Sequence, residues 1–363
     1  MSEPIRVLVV DDSALMRKLI PQILEREPTI KVVGTAMDGA FALKKIEELR
    51  PDVVTLDLEM PRMDGMETLR QIMRYQRLPV IIVSALSTQG ASATFKALAL
   101  GAFDFVTKPQ DVGSNSLNVK DIAADLIAKI KVAAHSEARK MVPPPVLGAR
   151  SESRRSSKPA TRAKEAPSKV VAIGISTGGP NALQYVLSQL PADFSGAILV
   201  VQHMPEGFTE MFARRLDESC AIEVKEAQSG DLLLAGRALI CPGNRHMKVR
   251  RMPLGDMVVL TDDPKVNGHR PSVDVLFRSV GQEFGANAVA ILMTGMGDDG
   301  AEAMGAVKAA GGLTIAQDEG SSVVYGMPKA AIERGNAVRV VALDALAHTI
   351  QAQCLERARA GKM

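Results

Sequence analysis

The sequence predicts two α/β domains, each an open parallel sheet doubly wound with helices, joined by a flexible linker. Three observations predict this. The 363 residues exceed one ordinary domain. Short continuous apolar runs, the mark of strands buried on both faces, alternate with helical periods in residues 1–128 and again from residue 169 onward. Between them, residues 129–168 lose all hydrophobic period and turn rich in Pro, Ser, Arg and Ala. Hydrophobic residues are 46% of the chain but aromatics only 3%, so the cores must be built from Val, Ile, Leu, Ala and Met.

In the first domain, residues 4–128, strand-like runs fall at Val7–Val10, Lys31–Gly34, Val53–Leu56, Val80–Val83 and Phe103–Val106. Amphipathic helical segments lie between them, including Ser13–Glu25 and Ala40–Leu49. The linker, 129–168, cannot bury enough surface to order itself. It also carries the charge: ten Lys or Arg against three acids in residues 131–169 give +7, while the whole chain is +3. In the second domain, 169–363, strands are expected at Val170–Gly174, Ala197–Val201, Ala238–Cys241, Val258–Thr261, Ala288–Met293 and Leu313–Ala316. Helices are expected at Pro271–Phe284 and Ala301–Ala310.

These features exclude several classes. Cys220, Cys241 and Cys354 are few, odd in number and far apart, which argues against a disulfide framework or zinc site and for a reducing cytoplasm. The N-terminal MSEPIRVLVVDD reads as a strand, not a signal peptide, and no apolar run approaches the ~18 residues that span a bilayer. Membrane insertion is not expected. Nor is nucleic-acid binding, because the basic excess sits in the linker and not on a domain face.

Ligand chemistry on such sheets belongs at the carboxyl ends of the strands. Asp11 and Asp12 follow the first strand and Asp57 the third, ends that neighbour each other in a doubly wound sheet. Three converging carboxylates repel unless a cation sits among them, and oxygen ligands with open positions suit Mg²⁺. Ser84 follows the fourth strand and Lys108 the fifth, adding a hydroxyl and an ammonium. A carboxylate nucleophile with Mg²⁺ and Lys can accept a phosphoryl group. A cis bond between Lys108 and Pro109 would aim the lysine inward. Taken singly, Asp11 and Asp12 would read as helix caps. The motifs VLVVDDSALMR, VVTLDLEMPRMDG, VIIVSA and GAFDFVTKP together resemble the receiver domain of two-component response regulators. That resemblance implies a flavodoxin-like fold with Asp57 as phosphoacceptor. It implies Mg²⁺ held by Asp11, Asp12, Asp57 and the carbonyl of Glu59. Ser84 and Phe105 would be the switch pair that responds to phosphate, with Lys108 beside them; Ser84 stands where Thr is also common.

In the second domain, Gly174-Ile175-Ser176-Thr177-Gly178 follows a strand and precedes a helix, which fits a nucleophile elbow. A dinucleotide-binding loop looks similar, but it expects an acid after the next strand, where this chain has Gln202-His203. His203 ends the strand predicted to neighbour the serine strand. The loop Met293–Gly300 supplies Asp298, Asp299 and glycines that could expose backbone N–H donors. The order Ser, His, Asp differs from the α/β-hydrolase order. From these residues alone, His246 and His269, both expected in loops, compete with His203 as base, and Asp298 and Asp274 compete as acid.

AIGISTGGP, VQHMP, CPGNRHM, HRPSVDVLF and LMTGMGDDGA resemble, in order, the catalytic domain of chemotaxis protein-glutamate methylesterases. The resemblance implies a Rossmann-like three-layer esterase with Ser176 as nucleophile, His203 as base, Asp299 as triad acid and the Met296 N–H as oxyanion donor. Asp298 stands where the family often has Asn; Thr177 and His246 would line the site. Further implications are methyl-accepting chemotaxis receptors as substrates, a chemotaxis histidine kinase as phosphodonor, glutamine deamidation as a second activity, no cofactor in the esterase domain, and recruitment to receptor arrays. The unphosphorylated receiver is expected to cover the strand-end site. Two rival readings are a DNA-binding regulator, which would need a short basic helical output, and a non-catalytic scaffold, which would not need the serine, histidine and aspartate.

Overall fold

A computed structural model describes residues 3–108, 117–135 and 165–360. The chain divides into two compact units, Met1–Pro143 and Pro144–Met363. Pro109 and residues 136–164, the greater part of the expected linker, lie outside the described residues.

The first unit is a five-stranded parallel sheet of β1 (Ile5–Val10), β2 (Ile30–Ala36), β3 (Val53–Leu56), β4 (Val80–Ser84) and β5 (Asp104–Thr107), in the order β2-β1-β3-β4-β5. All five expected strands are present, within two residues at each end. The apolar runs of β1, β3 and β4 are buried almost throughout, as a sheet covered on both faces requires. Crossovers are α1 (Met16–Leu24), α2 (Gly39–Leu49), α3 (Gly65–Tyr75) and α4 (Thr88–Ala99), with α5 (Leu117–His135) closing the unit. Three starts follow capping rules: the side chains of Asp38, Asp64 and Ser87 accept from Phe41, Glu67 and Gly90 N–H. α5 continues through residues 129–135, which the sequence reading had placed in the linker.

The second unit is a seven-stranded parallel sheet of β6 (Val170–Ile175), β7 (Ala197–Gln202), β8 (Glu223–Glu226), β9 (Arg237–Ile240), β12 (Ala288–Leu292), β13 (Leu313–Gln317) and β14 (Arg339–Val341). Its order is β14-β13-β12-β6-β7-β9-β8. α7 (Phe208–Ser219) and α11 (Leu343–Ala360) each pack on α6 (Gly179–Ser188), while α8 (Val273–Phe284) and α9 (Ala301–Ala309) pack together on β6 and β12. α10 (Met327–Glu333) joins β13 to β14. Residues of one parity, Val170 and Ala172 with Leu199 and Val201, share a core with Leu276, Phe277 and Val280 of α8. Val171, Ile173, Ile198 and Val200 are equally buried on the opposite face.

Two expectations need correction. Val258–Thr261 is indeed extended, but as β11 (Met257–Thr261) it pairs antiparallel with β10 (His246–Arg250) in a separate hairpin. β11 alternates buried and half-buried residues, and β10 does so from Met247 onward, the mark of a hairpin with one more solvated face. His246, expected in a loop, is the first residue of β10 and fully buried.

Candidate active site and acidic crevice

In the first unit, β1 and β3 are neighbours, so Asp11, Asp12 and Asp57 offer oxygens that lie within 4.8 Å of one another. Lys108 enters from the end of β5 and donates to Asp57 Oδ2 at 2.7 Å. It also lies 2.9 Å from Asp11 Oδ2 as an ion pair without hydrogen-bond geometry, leaving that buried oxygen with no hydrogen-bond partner. Asp11 does not cap α1; its other oxygen accepts from Ser13 N–H, and α1 starts without a side-chain cap. Burial pushes the Asp57 carboxyl above the usual range, more than Lys108 pulls it down. Burial alone would lower the Lys108 ammonium, yet Asp57 and Asp11 outweigh it and its pKa is raised. A buried carboxylate oxygen without a hydrogen bond, in a set of three acids, is a fit for a hard divalent cation such as Mg²⁺.

The remaining candidates of this unit surround the crevice. The Glu59 N–H donates to Asp57 Oδ1 at 3.2 Å, and its side chain is exposed. Ser84 is buried, its hydroxyl 3.3 Å from the Gly90 carbonyl. Phe105 is buried edge-on to Phe95, ring centroids 6.5 Å apart, with Lys129 over its face.

In the second unit, the adjacent strands β12, β6 and β7 deliver the three catalytic candidates. Ser176 follows β6 directly. Gly178 then turns at φ 75°, a left-handed conformation that suits glycine, and α6 begins at the next residue. The Ser176 N–H donates to the Thr294 carbonyl beyond β12, and the His203 N–H donates to the Ile175 carbonyl, so neighbouring loops hold both ends of the elbow. His203 Nδ1 lies 3.2 Å from Ser176 Oγ, and Nε2 lies 2.8 Å from Asp299 Oδ2. A carboxylate only accepts, so the ring proton belongs on Nε2 and the Nδ1 lone pair faces the serine hydroxyl.

Asp299 is buried and saturated with donors. Oδ2 also accepts from Val273 N–H at 2.7 Å. Oδ1 accepts from Ser272 Oγ at 2.7 Å, Asp274 N–H at 3.2 Å and Asn267 Nδ2 at 3.3 Å. The carboxylate thus caps the N-terminus of α8 from another loop, where the helix dipole favours negative charge. Burial would raise its pKa, but the bonds from His203, Val273 and Ser272 win and lower it from 3.8 to about 2.

The oxyanion candidate sits in a braced loop. Gly295 N–H donates to the Val324 carbonyl, and Gly326 and Met327 N–H donate to the Gly295 carbonyl. Thr294 Oγ1 donates to the Thr177 carbonyl at 2.9 Å. The next residue, Met296, is half-buried, and its N–H has no acceptor among the described residues.

Three of the competing candidates, Asp298, Asp274 and His246, make their contacts elsewhere. Asp298 is exposed and pairs with Arg334 at 2.5 Å. Asp274, on α8, is buried and accepts from Ala303 N–H and Asn267 Nδ2. His246 accepts from Ser272 N–H at 3.2 Å and faces the Pro264 carbonyl at 3.0 Å, so it supports the loop behind Asp299. His269 stacks flat on His203, ring centroids 3.9 Å apart. Sequence reasoning missed Ser272, Asn267 and Gln202. Ser272 carried a signal, since Ser-Val-Asp before an apolar helix reads as a helix start; its donation to Asp299 depends on a contact 27 residues away in sequence.

The two sites define a class of protein: a phosphoacceptor-type α/β unit in one chain with a hydrolase-type serine, histidine and aspartate. A CheB methylesterase family model matches residues 171–350, and a response regulator receiver domain model matches residues 7–115. The protein-glutamate methylesterase/protein-glutamine glutaminase 2 of Koribacter versatilis is 69% identical over 355 residues, covering 96% of each chain. The corresponding Pyrococcus horikoshii protein is 45% identical over 350 residues, covering 96% of this chain and 94% of its own. The crystal structure of the Thermotoga maritima CheB methylesterase catalytic domain superposes with a TM-score of 0.50 at 38% identity, covering 51% of this chain and 97% of that one. The chain belongs to the CheB methylesterase family, a family of chemotaxis hydrolases, and carries a response regulator receiver domain.

Proposed function

We propose that the chain hydrolyses methyl esters of glutamate side chains on methyl-accepting chemotaxis receptors, releasing methanol, under control of Asp57 phosphorylation. The observation that carries this reading is the continuous relay from Ser176 Oγ through both nitrogens of His203 to Asp299. Ser176 Oγ attacks the ester carbonyl and its proton passes to His203 Nδ1. The imidazolium is held by Asp299, and the Met296 N–H faces the developing oxyanion. Collapse of the tetrahedral intermediate expels the methoxy group, which takes the proton from His203 and leaves as methanol. Water then repeats the sequence on the glutamyl-serine ester, freeing glutamate and Ser176. With a glutamine side chain the same steps release ammonia, which gives the deamidase activity.

Control belongs to the first unit. Asp57 accepts a phosphoryl group from a chemotaxis histidine kinase, and the nearby Lys108 ammonium balances its charge. Asp11, Asp12 and Asp57, with the Glu59 carbonyl, would hold Mg²⁺, which supplies charge neutralisation at the phosphoryl oxygens. Ser84 and Phe105 report the new charge to the rest of the unit. The protein acts in the cytoplasm at receptor arrays; no helix among the described residues is long and apolar enough to cross a membrane.

The test is methanol release from methylated receptor membranes, with and without acetyl phosphate. The unchanged chain should release methanol faster with the phosphodonor, Asp57→Asn should lose that response, and Ser176→Ala should release none. Methanol release by Ser176→Ala at the rate of the unchanged chain would overturn the assignment of the nucleophile.

A further inference from the structure

Gln202 is the last residue of β7 and is 2% exposed. Its Nε2 donates to the Ser176 carbonyl at 3.0 Å and to the His203 carbonyl at 3.2 Å. One amide thus ties together the main chains of the two residues whose side chains meet at 3.2 Å. The other end of that amide is unusual. Gln202 Oε1 is buried and has no hydrogen-bond partner. Turning the amide over would not rescue it, because the oxygen would then face two carbonyl oxygens. The oxygen lies instead beside Gly179, the first residue of α6, where the positive end of the helix is favourable for an acceptor. A Cβ at Gly179 would stand 2.1 Å from Oε1 and 2.9 Å from Ile175 Cγ1, so the amide could keep this position only by a shift of its neighbours if that residue were not glycine. A buried acceptor left without a partner is costly, and such groups persist where another demand fixes them. Here the demand is the double donation by Nε2.

We infer that Gln202 is a positioning residue that sets the Ser176–His203 approach, and that Gly179 is its counterpart, keeping the amide seated. This rests on the assignment of Ser176 as nucleophile and His203 as base. Gln202 does not touch the reacting atoms; it acts through the two carbonyls. Its loss therefore lowers the rate of attack by Ser176 and leaves substrate binding alone, since geometry at the reacting pair enters turnover steeply.

The full-length chain is tested with a fluorophosphonate probe, which reports serine reactivity, and in the methanol-release assay. Gln202→Met, similar in shape but without donors, should cut both the labelling rate and the turnover about 10- to 100-fold, with KM within about twofold. Gly179→Ala should give a similar loss, because the methyl displaces Oε1. In the double variant the losses should not multiply, since each removes the same contact. Melting midpoints are recorded alongside; a folded Gln202→Glu variant, which places acceptors against both carbonyls, should be at least as slow as Gln202→Met. Labelling of Gln202→Met and Gln202→Glu at the rate of the unchanged chain would overturn the inference, as would multiplying losses in the double variant. Ser176→Ala separates the two levels: if it still labels and hydrolyses, the nucleophile assignment fails; if it is inert while the Gln202 variants are fully active, only the positioning role fails.

Discussion

Replacing Asp299 by Asn preserves the shape of the side chain and removes its charge and one acceptor. The native carboxylate receives five donors: His203 Nε2 and Val273 N–H on one oxygen, and Ser272 Oγ, Asp274 N–H and Asn267 Nδ2 on the other. Asparagine offers one oxygen and an NH₂ group, so donors meet donors on one side whichever way it turns. With the oxygen toward the three donors, the NH₂ faces His203 Nε2 and the ring must accept there. The ring proton then sits on Nδ1, pointing at Ser176 Oγ, and the base is blocked. A triad Asp→Asn change that fixes the wrong tautomer costs about 10⁴-fold in turnover, so a loss on the order of 10³- to 10⁴-fold is expected here. Stability falls as well. The drop in the Asp299 pKa from 3.8 to about 2 is, at about 1.36 kcal/mol per pH unit, about 2 kcal/mol of native-state preference for the charged form. Urea unfolding of Asp299→Asn at pH 7 should therefore show a loss of about 2–4 kcal/mol once the mismatched donors are included. Methanol release and urea melts on the same preparations check both. Asp298→Asn is the control, since it loses only a half-exposed pair with Arg334 and should keep turnover within about twofold. Turnover above a tenth of the unchanged chain in Asp299→Asn would refute the tautomer argument.

Because the Asp299 pKa is depressed in the folded state, its stabilising contribution is complete above the unfolded value near 3.8 and is lost as pH falls toward about 2. Unfolding free energies measured between pH 5 and pH 2 should therefore decline more steeply for the unchanged chain than for Asp299→Asn, by about 2 kcal/mol over that window. Burial pushes the Cys241 thiol far above its usual range and the Cys354 thiol up to about 11. Iodoacetamide at pH 7 on the folded protein should accordingly modify half-buried Cys220 first, and early labelling of Cys241 would contradict its burial in the core it shares with Met247 and Val258.

Much of the fold was legible because parallel strands buried on both faces leave an unbroken apolar run. Val53–Leu56, with four buried residues, was located to the residue. The elements that escaped lack that signature. β8 is Glu-Val-Lys-Glu, an edge strand with one buried residue, and β14 is Arg-Val-Val, exposed for most of its length. β10, His-Met-Lys-Val-Arg, alternates and pairs locally with β11, so its character is set by the hairpin and not by the main sheet. That a serine, a histidine and an aspartate of strand-end loops would meet was legible for a different reason: each directly follows, or lies in the loop after, one of three strands that proved adjacent, β6, β7 and β12, while the choice of Asp299 rested on the family resemblance. What surrounds them was not. Nothing local in Gln202 announces that its amide turns back to two carbonyls, and His269 meets His203 face to face across 66 residues of chain that no periodicity records.

The position of the acid shows why the sheet order alone does not finish the site. β6 stands between β7, which ends at the histidine, and β12, whose following loop carries Asp299. The carboxylate must cross the line of the serine strand to reach the imidazole. It does so by docking on the first residues of α8, a helix that packs on both β6 and β12. Two N–H groups of that helix and one serine hydroxyl therefore position the carboxylate, and two of these donors, Val273 N–H and Ser272 Oγ, add to the larger effect of His203 in lowering its pKa against burial. In the proposed mechanism a carboxyl held below the usual range is too weak a base to take the proton from an imidazolium, so the proton given up by Ser176 would stay on the ring, available to the leaving group. The device that carries Asp299 across the sheet thus also contributes, with His203, to keeping it an anion in the proposed reaction.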